Sequence, residues 1–140
     1  MNQTVAYVAI VVRDYDEAKR YYSDVLGFQT VEDVQQENGK RWILLAPPGS
    51  SETRLLLQKA TNDEQTARVG NQTGGRVFLF LRTDDFRRDF RLFKQRGVHF
   101  LEDPREEPYG TVVKFEDLYG NRWDLLQLND KEKAARHGAL

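Results

Sequence analysis

Apolar and polar positions follow two rhythms along this chain, and the sequence of rhythms occurs twice. Val5 to Val12 (VAYVAIVV) is a short β-branched apolar run, the pattern of a strand buried on both faces. A helix is predicted to follow at once. Asp14 suits its N-cap, and Glu17, three residues on, completes a capping-box pattern. Ala18, Tyr21, Tyr22, Val25 and Leu26 recur at helical spacing as one apolar stripe. Gly27 stands where a helix C-terminus favours a left-handed residue. Strands are then predicted at 28–34, 41–46 and 54–58, punctuated by Gly39 and by Pro47-Pro48-Gly49. The first half reads βαβββ.

The second half repeats the order. A strand is predicted at 76–82. Asp84 or Asp85 opens a helix striped with Phe86, Phe90 and Phe93, and Gly97 ends it. Strands follow at 98–101, 111–115 and 122–128, with a turn at Tyr119-Gly120-Asn121 before the last. Asp14 and Gly27 find counterparts 70 positions later in Asp84 and Gly97, and Gln58 finds one 69 positions later in Gln127. Such spacing argues for a duplicated module. The expected organisation is a single domain over residues 1–140. Module one covers about 4–60 and module two about 76–129. A polar, Gly-rich linker fills about 61–75, with one helical turn near 63–68. The polar tail 130–140 is frayed or a short surface helix.

Composition narrows the function classes. Hydrophobic residues make up 39% and aromatic residues 11% of 140 positions, enough for a buried core. Lys plus Arg number 21 against 22 Asp plus Glu, so the net charge is −1 and gives no electrostatic basis for nucleic acid or an anionic membrane. The absence of cysteine removes disulfides, thiolate nucleophiles and Cys-ligated metals. No apolar run approaches the roughly 20 residues of a membrane span. The start lacks the basic, apolar and small-residue order of a signal peptide, so the cytoplasm is the expected location.

The opening VAIVVRDYDEAKRYYSDVLGF and the closing FEDLYGNRWDLLQ, set on two such modules, resemble the vicinal-oxygen-chelate superfamily of glyoxalases, bleomycin-resistance proteins and dioxygenases. The resemblance covers about residues 4–128 and is nearest to the short glyoxalase-like members. It implies an α+β fold of two tandem βαβββ modules, whose curved sheets form a cleft. It also implies a divalent metal there, held by His, Gln or Glu from first and last strands. Carried over, the first-strand positions fall on Tyr7 and Val77, and the last-strand positions on Leu55 and Asp124. Leu and Val offer no lone pair, and Tyr binds metal only as phenolate. Asp124 alone is a usable ligand, whereas a catalytic metal needs about three. The resemblance admits a divalent metal, but these residues lead us to expect neither a metal site nor another cofactor.

The remaining candidates are few. His99 lies on a strand and His137 in the polar tail, and neither restores a metal site. Trp42 and Trp123 read as sheet aromatics, and alternation puts Trp123 opposite Asp124, under the helix. Arg87, Arg88, Arg91 and Lys94 fall on the outer, solvated face of the second helix. The loop 105–110 offers Arg105 and Tyr109 as a pocket rim able to meet a carboxylate or carbonyl. Tyr7 and Asp124 either satisfy each other or orient a ligand. The expected function is binding of a small organic molecule in the cleft without the metal. The alternative is a lyase, epimerase or dioxygenase acting on a small vicinal-oxygen substrate, with Asp124 as base and Tyr7 as acid. A third reading is an interaction module. A homodimer is expected, because open sheets leave edges and apolar faces to cover.

Overall fold

The computed structural model describes the backbone of residues 1–138 and the side chains of residues 1–135. The chain divides into two compact units, Met1–Gln72 and Thr73–Leu140. Unit one runs β1 (Tyr7–Val12), α1 (Tyr15–Asp24), β2 (Gln29–Gln35), β3 (Arg41–Ala46), β4 (Arg54–Lys59) and a short α2 (Asp63–Thr66). Its sheet has the order β1-β4-β3-β2, with β1 and β4 parallel and the other pairs antiparallel. Unit two runs β5 (Val77–Arg82), α3 (Phe86–Gln95), β6 (His99–Phe100), β7 (Arg105–Glu107), β8 (Gly110–Glu116), β9 (Arg122–Leu128) and α4 (Asp130–Gly138). Its sheet has the order β5-β9-β8-β6, and β7 also pairs with β8. In each unit the first strand lies parallel to the last, a pairing that only a long crossover allows. The fold is α+β, two tandem βαβββ modules.

Local chemistry fixes the helix limits. Asp14 caps α1, its Oδ2 accepting from the Glu17 amide at 2.8 Å. Asp85, not Asp84, caps α3, its Oδ1 accepting from the Arg88 amide at 3.1 Å. Both helices end before a left-handed glycine, Gly27 at φ 77° and Gly97 at φ 86°. There the Phe28 and Val98 amides reach back to the Tyr22 and Phe93 carbonyls at 2.8 and 2.9 Å. With Asp85 as the start, the second helix is one residue shorter between cap and glycine, so the repeat is not of constant spacing.

One element departs from the sequence reading. The stretch read as a charged loop contains β7, a ninth strand among the described residues. Strands β6 and β7 follow one another along the same edge of β8. They are interrupted before Pro104, which has no N–H to give to a ladder.

Register and alternation define two faces in each sheet. In unit one, Val8, Leu45 and Leu55 form one row and Ile10, Ile43 and Leu57 the next row on the same face. This face meets α1. Ile10, Ile43, Leu45, Leu57 and Tyr22 are all fully buried there, each aliphatic chain worth about 1.5–3 kcal/mol of burial. Arg41 closes one side, reaching Asp16 of α1 at 2.8 Å and Asp33 of β2 at 2.7 Å. Hydrogen bonds from Arg41 and then Lys19 hold the Asp33 carboxyl below its usual range. The free edge of β1 is capped by Gln72, whose amide exchanges hydrogen bonds with the Val11 backbone at 3.4 and 3.1 Å. In unit two, Phe93 of α3 meets Phe115 edge-on at 5.6 Å, and Phe115 stacks on Trp123 at 6.0 Å. Trp123 thus packs beneath the helix, as its alternation with Asp124 predicts.

Candidate functional site

The segment Asp117–Asn121 is a structural device that aims β9. Asp117 and Asn121 are both buried. The Asp117 Oδ1 accepts from the amides of Tyr119 and Asn121 at 3.0 and 2.9 Å, and its Oδ2 accepts from Asn121 Nδ2 at 2.9 Å. Gly120 at φ 98° completes the turn. These bonds close the β8–β9 hairpin in one register, which sets Phe115 opposite Trp123 and Lys114 opposite Asp124.

Asp124 is the chemically distinctive side chain of that hairpin. It is 7% exposed, and its Oδ1 has no hydrogen-bond partner among the described residues. On the face away from α3, Lys114 of β8 and Phe80 of β5 flank it in register. Phe80 is 64% exposed, a large apolar ring beside a buried carboxyl. The next row on this face holds Arg105, Val112, Leu126 and Arg82. Arg105 is already engaged: its Nε lies 2.9 Å from Glu102, and its Nη1 hydrogen-bonds Glu107. Glu102 also accepts from the Lys114 amide at 3.1 Å. Burial pushes the Asp124 carboxyl above the ordinary range; the charges of Lys114 and Arg105 pull it back, and that of Glu102 pushes it further up. A buried carboxyl with an unused acceptor oxygen is equipped to take a hydrogen bond from a ligand or to exchange a proton.

The other residues singled out from sequence fall as follows. Tyr7, at the start of β1, is 47% exposed and meets Trp42 edge-on at 5.6 Å, on the face away from α1. Leu55 is a correction. It pairs with Val8 and lies on the buried face toward α1, opposite to Tyr7. The residue of unit one that matches Asp124 is Leu56, which pairs with Ala9 as Asp124 pairs with Phe80. Val77 pairs with Arg122 as Tyr7 pairs with Arg54, and a bulge follows it in β5. Arg105 does not present a free fork, because two glutamates occupy it. Tyr109 sits half-buried in the β7–β8 turn, its carbonyl accepting from the Asn129 amide at 2.9 Å. His99 pairs with Glu116 across the β6–β8 ladder at 3.3 Å, on the surface. The His137 side chain lies outside the described residues.

The divalent metal implied by the resemblance finds a poor donor set here. Leu56 and Val77 carry no donor atom, and Asp124 supplies one carboxylate where a catalytic site needs about three protein ligands. Two neighbours of Asp124 were absent from the sequence reading, Lys114 and Phe80. A signal existed for Lys114: it interrupts an otherwise apolar strand, and it stands three residues before Asp117 as Asp124 stands three after Asn121, the two ends of the turn.

The model of the Glyoxalase/Bleomycin resistance protein/Dioxygenase superfamily matches residues 4–125. A protein of Shewanella frigidimarina is 53% identical over 133 residues, covering 94% of this chain and 98% of its own length. The solved structure of UcmS2 aligns with a TM-score of 0.78 at 29% identity, over 90% of this chain and 98% of that one. TnmS3, an antibiotic binding protein from Streptomyces sp. CB03234, aligns with a TM-score of 0.72 at 28% identity, over 92% and 98%.

Proposed function

Because the chain belongs to the Glyoxalase/Bleomycin resistance protein/Dioxygenase superfamily, we propose that it binds a small amphipathic organic molecule through Asp124, without a metal. The observation that carries this reading is a buried carboxyl whose Oδ1 has no partner among the described residues, beside an exposed phenylalanine. A hydroxyl or amide N–H of the ligand satisfies Oδ1, and its apolar body lies on Phe80. The local charges favour such a donor over an anion, since Asp124, Glu102 and Glu107 face Lys114 and Arg105. The antibiotic-binding function of TnmS3 supports a binding role on this fold. Few polar anchors in an apolar setting is the usual make-up of a small-molecule site.

The raised carboxyl of Asp124 favours one enzymatic reading, in which it removes a proton from a bound substrate of the lyase, epimerase or dioxygenase type. No step of either reading runs through a metal. We also propose a homodimer. Strand β2 is an edge strand exposed along its length, with Val31 and Val34 pointing to solvent. Sedimentation at tens of micromolar, roughly the range of ordinary weak dimers, should give twice the chain mass, and a species of one chain mass would refute the dimer. The binding site itself is tested by amide-resolved NMR with naphthol. Saturable shifts are expected at Phe80, Lys114 and Asp124. Shifts confined to other parts of the chain would reject the site.

A further inference from the structure

The α3 side of unit two carries a groove with a different charge from the surroundings of Asp124. The groove, of about 760 Å³, runs between α3 and the β7–β8 hairpin, with Pro104 and Thr111 on its far wall. Its volume falls within the range that holds drug-sized ligands, about 300–1,000 Å³. Phe86 and Phe90 stack at 5.8 Å within it, and Phe90 is half-exposed. Arg87, Arg91 and Lys94 line the same groove at helical spacing. Lys94 stands over the Phe90 ring at 5.5 Å. Among the described residues none of these three cations has an anionic partner; the neighbouring Arg88, by contrast, is tied to Asp84 and Asp89 at 3.0 Å.

The acids at the groove are occupied. The Asp85 carboxylate caps α3, and both oxygens of Glu106 accept from the Thr111 hydroxyl at 3.0 Å. Gln127 is likewise spent on the start of the helix, accepting from the Phe86 amide at 2.8 Å and donating to the Asp84 carbonyl at 3.1 Å. The three exposed cations repel each other along the helix, and the two carboxylates of the groove, Asp85 and Glu106, leave it with an excess of positive charge. An anion relieves that excess, and an aromatic one also covers the Phe86–Phe90 floor.

We propose that this groove binds a small aromatic carboxylate, its ring on Phe90 and its carboxylate held by Arg87, Arg91 and Lys94. Arg supplies a planar fork matched to a carboxylate, and Lys a point charge beside it. The site is separate from Asp124, which lies on the other face of the same sheet.

The test is an amide-resolved NMR titration with naphthoate, run beside naphthol as the uncharged counterpart of the same ring. Saturable shifts are expected at α3 and at the β7–β8 turn for naphthoate alone. The exposed double substitution Arg87→Gln/Arg91→Gln should weaken naphthoate by about tenfold while leaving the rest of the spectrum in place. Asp124→Leu should leave naphthoate binding unchanged, so loss of naphthol binding at Asp124 and loss of naphthoate binding here are separate failures. The proposal is overturned by absence of saturable shifts at α3, by equal affinity of the double variant, or by naphthol binding in this groove as tightly as naphthoate.

Discussion

Replacing Asp124 by Asn should make the protein more stable at neutral pH. The wild-type carboxylate is 7% exposed, and one of its oxygens has no hydrogen-bond partner among the described residues. Leaving a buried polar group unsatisfied costs about 1–3 kcal/mol, and more when it is charged. The neutral amide keeps the shape and removes the charge, so a gain of about 1–2 kcal/mol is expected, or roughly 3–6 °C in Tm for a chain of this size. The sign with pH follows from the raised carboxyl. Burial raises the folded-state pKa of Asp124 above the ordinary carboxylate value of 3.8, so the folded state holds this proton more tightly than the unfolded state does. Wild type therefore loses stability as pH rises from that value through the folded pKa. The Asn variant has no such titration. Its advantage should be smallest below pH 3.8, grow through that window and level off above it. Urea titrations of both proteins across acid and neutral pH, followed by circular dichroism, measure the difference. An Asn variant that is less stable at neutral pH, or whose advantage grows toward acid, would refute the reasoning. A destabilising carboxylate that persists is consistent with a group kept for binding rather than for folding.

Other expectations follow from the same hairpin and its neighbours. Asp117→Ala removes the three hydrogen bonds that Asp117 accepts from Tyr119 and Asn121; a loss of about 2–4 kcal/mol is expected by urea titration, and a loss below about 1 kcal/mol would contradict the role given to the turn. Gly110→Ala would bring a Cβ to 2.0 Å from the Gln127 carbonyl oxygen at a backbone φ of 150°. It should cost about 3 kcal/mol or more in thermal melts, and a near-wild-type melt would show that the two strands separate easily there. Protein purified without chelator should contain well under about one equivalent of Ni, Zn, Fe or Mn. One equivalent that disappears in Asp124→Ala would revive a metal-dependent reaction.

The fold was legible because its signals are local. Asp14 with Glu17, the glycines at 27 and 97, and the two aromatic stripes each specify a helix end or face within a few residues. Strand β7 was not legible. Its Arg105-Glu106-Glu107 has no apolar alternation, and its pairing comes entirely from β8. The misplacement at Leu55 has a definite cause. Matching Gln58 to Gln127 puts Leu55 at the place of Asp124, but Gln127 faces α3, where it holds the Phe86 amide. Gln58 lies in register with Val11 on the face away from α1. A slip of one residue in a strand exchanges the faces, so Leu55 replaced Leu56. The groove at Arg87, Arg91 and Lys94 escaped for a different reason. Helical spacing groups the three cations, but the wall that makes them a groove needs β7, which carries no strand pattern in the sequence.

The central claim is that Asp124 is a ligand anchor, and the most direct measurement compares naphthol affinity in wild type and Asp124→Leu by NMR titration. Leu is the residue that unit one carries at the matching position, and it removes the acceptor while keeping the site apolar. Losing one charge-assisted hydrogen bond of about 1.5–3 kcal/mol predicts roughly ten- to hundredfold weaker binding in a variant that remains folded. Equal affinity in the two proteins, with the same residues shifting, would contradict the account.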